Sequence, residues 1–97
     1  MSEQALERQV VERLRAVIDP ETGVDVVRMR LVENLTVDRE GVARYTFHPS
    51  SPLCPLAVTL ALQIKRKVAG VPGITGQDID VQGYIDAEGL AELLRTM

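Results

Sequence analysis

The sequence predicts an α+β domain of two layers, with the element order α-β-β-α-β-α and a small mixed three-stranded sheet. Three observations lead to this prediction: apolar residues recur at helical spacing in three segments, two alternating segments flank a tight turn, and a third short apolar segment follows the middle helix. A chain of 97 residues can bury about 60 to 70% of its extended surface, which suffices for one core. We therefore expect residues 1–97 to form a single domain.

The first predicted helix has one apolar face and ends near Ile18. Pro20 disfavours the helical conformation for Asp19, and Gly23 then marks DPETG as a turn. The apolar stripe of this helix consists of Leu6, Val10, Val11, Leu14, Val17 and Ile18.

The next two segments, residues 31–38 and 42–48, alternate between apolar and polar side chains and predict a β-hairpin. Asp38 to Gly41 form its turn. The residues expected to face inward are Leu35, Val37, Ala43, Tyr45 and Phe47.

A second helix, a third strand and a short third helix follow. Gly70 is expected to end the second helix in the left-handed conformation, and Asp86 to cap the third helix. A strand, a helix and another strand in succession predict a right-handed crossover between parallel strands two and three. The apolar positions are Ala57, Leu60, Ala61, Ile64 and Val68 in the second helix, Ile79 and Val81 in the third strand, and Leu90, Leu93, Leu94 and Met97 in the third helix.

Composition argues against nucleic acid and membrane surfaces as partners. The formal net charge is -3, which repels phosphate, and the three aromatic residues supply little surface for stacking bases. The N-terminal residues have no apolar signal segment, and a single cysteine cannot form an internal disulfide. We expect a cytoplasmic protein, in which this thiol stays reduced.

The stretch HPSSPLCPLAV, residues 48–58, contains that cysteine, Cys54. Pro55 suits the first position of a helix, which predicts that Cys54 is the N-cap of the second helix. The positive end of a helix lowers a cysteine pKa from about 8.5 to about 7 or below, and thiolate is the form that binds soft metals. Ser50 and Ser51 add hydroxyl groups that can hydrogen-bond a ligand.

Simpler interpretations remain open for these residues. A lone intracellular cysteine is often a small buried apolar side chain. His48 lies outside the close spacing of zinc motifs and is expected to be a solvated residue at a strand end. Asp19 and Glu21 fit ordinary turn chemistry.

Taken together, DPETGVDVVRMRLV, the hairpin, SPLCPLA and VAGVPGI resemble the small iron-sulfur cluster assembly domain of SufT and PaaD proteins and of the eukaryotic cytosolic cluster-targeting factors. The resemblance runs from about Leu6 to Ile85. Asp19, Pro20 and Glu21 match the acidic turn of the family. Its hydroxyl residue before Cys-Pro is matched by Ser50 or Ser51 with Cys54 and Pro55.

One position departs from the family pattern, because Arg30 stands where Leu-Gly-Leu-Val usually has its glycine. A glycine there implies either a special backbone torsion or a close approach of the backbone near the cysteine. An arginine that crowds the cysteine would favour an adaptor that does not bind a cluster.

The resemblance implies a non-enzymatic factor that helps iron-sulfur proteins mature. Cys54 would be the cluster or metal contact, with Ser50, Ser51, Asp19 and Glu21 around a transient iron-sulfur cluster. Further ligands would come from a homodimer, an assembly scaffold or a client apoprotein, since a cluster usually takes four thiolates or a mixture of thiolates and histidines. The alternative is a PaaD-like adaptor that docks a client enzyme. An enzyme with a thiol nucleophile is a third hypothesis, weakened because His48 is the only histidine.

Overall fold

The structure is a computed structural model that describes residues 3–20, 22–49 and 56–96. Its elements follow the predicted order, which confirms the α+β fold. They are α1 (Glu3–Leu14), β1 (Val32–Val37), β2 (Val42–Phe47), α2 (Ala57–Ala69), β3 (Gly76–Val81) and α3 (Ala87–Thr96).

The three strands form one mixed sheet in the order β1-β2-β3. The first two are antiparallel, with Val32 opposite Phe47, which confirms the predicted hairpin. The last two are parallel, with Phe47 beside Val81, as expected for a crossover through α2. The right-handed sense of this crossover stays a prediction.

The hairpin turn is held by the carboxylate of Asp38. Its Oδ1 accepts hydrogen bonds from the backbone N–H groups of Val42 (3.0 Å) and Glu40 (2.9 Å). Its Oδ2 lies 2.8 Å from a guanidinium nitrogen of Arg44. The Val42 N–H first, and then the Arg44 guanidinium and the Glu40 N–H, lower the pKa of Asp38 despite an opposing effect of desolvation.

One face of the sheet is buried and the other is exposed, as strand alternation requires. Thr36, Arg44, Asp78 and Asp80 are exposed on the second face. The three helices complete a core on the first face, so the architecture has two layers. The side chains that β2 and β3 bury in that core are Ala43, Tyr45, Phe47, Ile79 and Val81.

A partly buried polar contact joins β2, β3 and α2. The Tyr45 hydroxyl donates to Oε1 of Gln77 at 2.7 Å, and Nε2 of Gln77 donates to the carbonyl of Lys65 at 2.9 Å. Burial raises the pKa of Tyr45 well above its usual value, because the charged phenolate is disfavoured away from water.

The end of α1 differs from the prediction, because the helix stops at Leu14 rather than near Ile18. Val17 N donates to the Leu14 carbonyl at 3.0 Å, a short-range bond typical of a tightened last turn. Ile18 then pairs with Asp25 in an isolated antiparallel bridge and is 46% exposed. Pairing with a distant segment therefore removes Ile18 from the predicted apolar stripe.

The end of α2 also differs, because Gly70 is right-handed, with φ -76° and ψ -7°. The Val71 N–H bonds to the Val68 carbonyl at 3.1 Å, so the helix closes through another turn and needs no left-handed residue there. The left-handed glycine of this connection is Gly73, with φ +98°.

The third helix begins as predicted. Gly89 N donates to Oδ1 of Asp86 at 3.2 Å, which is the expected cap. Leu90 and Leu94 are buried, whereas Leu93 is 40% exposed and does not belong to the buried stripe. Met97, the fourth apolar position predicted for this helix, lies outside the described residues.

Among the described helices, none has the length and apolar character needed to cross a membrane.

Candidate functional site

Three connecting segments meet at the edge of the sheet where β2 and β3 end, here called the carboxyl edge. His48 and Pro49 leave β2 at this edge, and residues 82–86 leave β3 beside them. Since β1 is antiparallel to β2, residues 18–31 enter β1 at the same edge. Loops at the carboxyl ends of parallel strands are common places for binding sites in α/β proteins.

A series of backbone hydrogen bonds holds the entry segment of β1 against the other two. The Leu31 carbonyl accepts from His48 N at 2.7 Å, and Leu31 N donates to the Val26 carbonyl at 2.9 Å. Val26 N donates in turn to the Val17 carbonyl at 3.0 Å. We call these three bonds the edge ladder. They extend the pairing of the sheet from the end of β2 back to the residues just before Asp19.

Asp19 is the predicted site residue that the structure describes most fully. Its side chain is 1% exposed, and within residues 3–20, 22–49 and 56–96 it is the only buried acidic or basic side chain. Its carbonyl accepts from Gly23 N at 2.8 Å, and its N–H donates to the Val24 carbonyl at 2.9 Å, which confirms the DPETG turn. An ordinary surface turn leaves its aspartate in water, so the burial of Asp19 exceeds what turn chemistry requires.

Arg30 adopts the left-handed conformation, with φ +59°. This conformation costs a non-glycine residue about 1 to 2 kcal/mol, and glycine adopts it freely. The position where the family pattern has glycine therefore does require a special torsion, and Arg30 tolerates it with its side chain exposed. The crowding of Cys54 by Arg30 stays a prediction, because Cys54 lies outside the described residues.

His48, just after β2, packs against Gly83, just after β3. A Cβ atom on Gly83 would lie 2.5 Å from Nε2 of His48, so the imidazole rests directly against the glycine backbone. Gly83 has φ +69°, and Nδ1 of His48 lies 3.1 Å from the Pro49 carbonyl oxygen. The sequence predicted an exposed His48 at the strand end, which is confirmed, but not its packing on Gly83. A glycine just after a strand was the available signal.

The structure describes the residues on both sides of residues 50–55, here called the cysteine segment. Pro49 is buried beyond 98%, and Leu56 occupies the N-cap position of α2 and packs against the core. The remaining predicted site residues, Glu21, Ser50, Ser51 and Cys54, lie outside the described residues. Pro52 and Pro55, the two prolines of this segment, do as well.

The predicted N-cap is wrong by two residues. The helix begins at Ala57, and Leu56, with φ -98° and ψ 4°, takes the N-cap position without a side-chain cap. Proline fits position N1 but also fits just outside a helix, and its ring disfavours the helical conformation in the residue before it. Cys54 therefore precedes the N-cap by two positions, and the argument that a capping position lowers its pKa no longer holds.

The described residues do not form a metal site by themselves. No group of three or more His, Asp or Glu side chains in residues 3–20, 22–49 and 56–96 is arranged to hold a metal ion.

We predict that Arg30→Gly raises the free energy of unfolding by about 0.5 to 1 kcal/mol. Glycine relieves the left-handed strain, and this gain exceeds the cost of the greater chain entropy that glycine loses on folding. Urea denaturation measures the change. The matched control is Arg28→Gly, at an exposed neighbour without a positive φ, which should lower stability. Equal destabilisation by both variants would contradict the strain at Arg30.

We predict that Asp19→Ala lowers the free energy of unfolding by about 1 to 3 kcal/mol, because it removes a fully buried polar side chain from the edge. Asp80→Ala, at an exposed aspartate, should change it by less than about 0.5 kcal/mol. A similar small effect for both would mean that Asp19 is an ordinary turn residue. Urea denaturation followed by circular dichroism measures both variants.

Comparison with known proteins agrees with the resemblance seen in the sequence. The model of the family described as "Iron-sulfur cluster assembly protein" matches residues 7–81. The chain is 32% identical over 79 residues to the Fe-S protein maturation auxiliary factor YitW of Bacillus subtilis, covering 81% of this chain and 78% of that protein. It is 35% identical over 65 residues to the Fe-S protein maturation auxiliary factor SufT of Staphylococcus aureus, covering 67% and 74%.

Solved structures show the same fold. A Bacillus anthracis structure, described as a domain of unknown function, DUF59, superposes with a TM-score of 0.76 at 30% identity, covering 99% of this chain and 93% of that one. A conserved hypothetical protein from Thermotoga maritima gives a TM-score of 0.70 at 24% identity, covering 99% and 96%. By its matched residues and its relatives, the chain belongs to the iron-sulfur cluster assembly protein family.

Proposed function

We propose that this protein is an iron-sulfur cluster assembly or carrier factor in which Cys54 is the cluster or metal contact. Relatives named Fe-S protein maturation auxiliary factors support a role in iron-sulfur protein maturation. The observation that carries the proposal for Cys54 is its place in the chain. It is the only thiol, and it lies in the segment that runs from the buried Pro49 at the carboxyl edge to the N-cap residue Leu56.

The edge ladder supports this proposal because it fixes the start of the cysteine segment. His48 N is bonded to the Leu31 carbonyl at 2.7 Å, and the His48 ring lies against Gly83. Because these two contacts already fix the start of the segment that carries the thiol, less conformational entropy is lost when the thiol binds a cluster. Ser50 and Ser51 would hydrogen-bond the cargo, and Asp19 and Glu21 would shape the neighbouring turn.

The cluster is cargo in this proposal, held for a short time and passed on. One thiolate supplies one ligand, whereas cluster irons usually take four thiolates or a thiolate and histidine mixture in total. The other ligands would come from a second copy of the chain, from an assembly scaffold or from the client apoprotein. Sharing ligands with a client suits transfer, because each ligand supplied by the client replaces one that is released.

A second candidate function is an adaptor, similar to PaaD, that docks a client enzyme without binding a cluster. Two observations favour it. Arg30 occupies the glycine position of the family pattern, and the described residues hold no further group of metal ligands. The adaptor would need the surface of the fold and not the thiol.

Three further expectations belong to this proposal. The protein acts without catalysing a reaction of its own, in line with the auxiliary role in the names of its relatives. It works in the cytoplasm, where its single thiol remains reduced. Residues 1–97 act as one domain, since helices from both ends of the chain share one core.

We predict that anaerobic reconstitution with iron and sulfide gives the visible absorption of an iron-sulfur cluster in the wild-type protein and that Cys54→Ala loses most of it. Light scattering of the same samples shows whether the cluster-loaded form is a dimer. The matched control is Ser51→Ala, which changes the same segment and keeps the thiol. It should retain cluster absorption, weakened at most by a lost hydrogen bond.

Absent absorption in the wild type, or equal absorption in wild type and Cys54→Ala, would contradict the carrier function. The adaptor would then be favoured if Cys54→Ala still binds the client that the wild type binds.

A further inference from the structure

We propose that the outer edge of β3 is a docking site for an extended, basic segment of a partner protein, which joins the sheet as a fourth strand. This surface is formed by β3 and α3, whose residues do not include Cys54. The proposal is therefore independent of whether Cys54 binds a cluster.

The backbone of β3 is paired on one side only. In the described part of the chain β3 neighbours β2 and no other strand. Gln82 N bonds to the Phe47 carbonyl at 3.0 Å, so alternation along the strand directs the N–H and C=O groups of Gln77, Ile79 and Val81 away from β2. Such a row of outward groups is a template for pairing with another chain.

The opposite edge of the sheet is protected. Val37 N, on the outer side of β1, donates to Oε1 of Glu7 in α1 at 3.2 Å. The register between β1 and β2 is interrupted between Glu33 and Thr36, and Asn34 has φ +56°. A bulge and a covering side chain are common means of preventing strand addition. The fold therefore protects the edge of β1 by two means that β3 does not share.

A groove with a volume of about 400 Å³ runs between β3 and α3, beside the outward groups of the strand. Two of the α3 residues, Ala87 and Ala91, are small and leave room for the side chains of an added strand. Around them the lining is mainly acidic. The lining residues are Asp80, Val81, Ala87, Glu88, Ala91, Glu92 and Arg95.

Charge determines which partner fits. Asp78 and Asp80 alternate along β3 on the exposed face of the sheet. In the described part of the chain, the only ion pair of Asp78 is a 3.9 Å contact with Arg44, and Asp80 has none. An added strand with Lys or Arg at alternate positions would meet these carboxylates, while its other side chains would face the groove.

The same charges disfavour a second copy of this chain as the occupant. When two β3 strands pair antiparallel about Ile79, Asp78 of each copy lies opposite Asp80 of the other. Like charges placed directly opposite each other destabilise a strand pair. The charges on β3 therefore favour a basic partner and disfavour pairing with a second copy of this chain.

We predict that a fluorescent eight-residue peptide of alternating Lys and Val binds the wild-type protein at low salt, measured by fluorescence anisotropy. Reversing two charges in Asp78→Lys/Asp80→Lys should weaken binding by about tenfold or more, because two attractive pairs become repulsive. The matched control, Glu3→Lys/Glu12→Lys, changes the net charge equally at exposed sites on α1 and should bind within about twofold of the wild type. Circular dichroism checks that both variants are folded.

Amide hydrogen exchange tests the strand pairing itself. Adding the Lys-Val peptide to the wild type should slow exchange at Gln77, Ile79 and Val81, while a Glu-Val peptide should leave their exchange unchanged. The proposal is overturned by absent binding, by equal weakening in both double variants, or by protection elsewhere on the surface. A dimer that already protects these three amides in the free protein would also overturn it, in favour of a second copy.

Discussion

The hydrogen bond from His48 N to the Leu31 carbonyl is the constraint on which the carboxyl edge of this fold depends. At 2.7 Å it prolongs the pairing of the two strands past the last residue of β2 and before the first residue of β1. It fixes where the chain leaves β2 and starts the cysteine segment. Through Leu31 N and the Val26 carbonyl it also fixes the segment that contains Arg30 and, one bond further, the turn at Asp19.

The edge ladder explains why strained and buried groups occur together there. Arg30 keeps a left-handed torsion, and Asp19 keeps a carboxyl group away from water. A left-handed torsion at a non-glycine residue lowers stability, and a carboxyl group is kept from water only where the surrounding structure holds it in place. Such a combination is typical of functional sites, whose residues serve binding at some cost in stability.

Most of the architecture could be predicted from the sequence because it follows from side-chain alternation. Ala43, Tyr45 and Phe47 point inward because a strand turns every second side chain to the same face. The parallel pairing of β2 and β3 follows from the helix between them. In the third helix, Asp86 caps the first turn because its side chain can reach the N–H of Gly89 within the same local segment.

The features that the sequence did not predict depend on backbone hydrogen bonds and packing that the spacing of side chains does not reveal. Ile18 leaves the helical stripe because it pairs with Asp25, and Gly70 remains right-handed because Val71 continues the turn. The N-cap is Leu56 and not the predicted Cys54, because a proline fits several positions around a helix start and does not fix which residue caps the helix. The burial of Asp19 and the contact between His48 and Gly83 arise where separate segments meet, and the only local signal for either is the glycine just after β3.

The most direct test of this account is hydrogen exchange at the amide of His48. If the edge ladder fixes the start of the cysteine segment, this amide should exchange only as fast as the buried amides within β2, through global unfolding. Exchange of the His48 amide at the rate of an exposed loop, while the amides of β2 stay protected, would contradict the account. It would mean that the segment leaving β2 opens freely from the sheet.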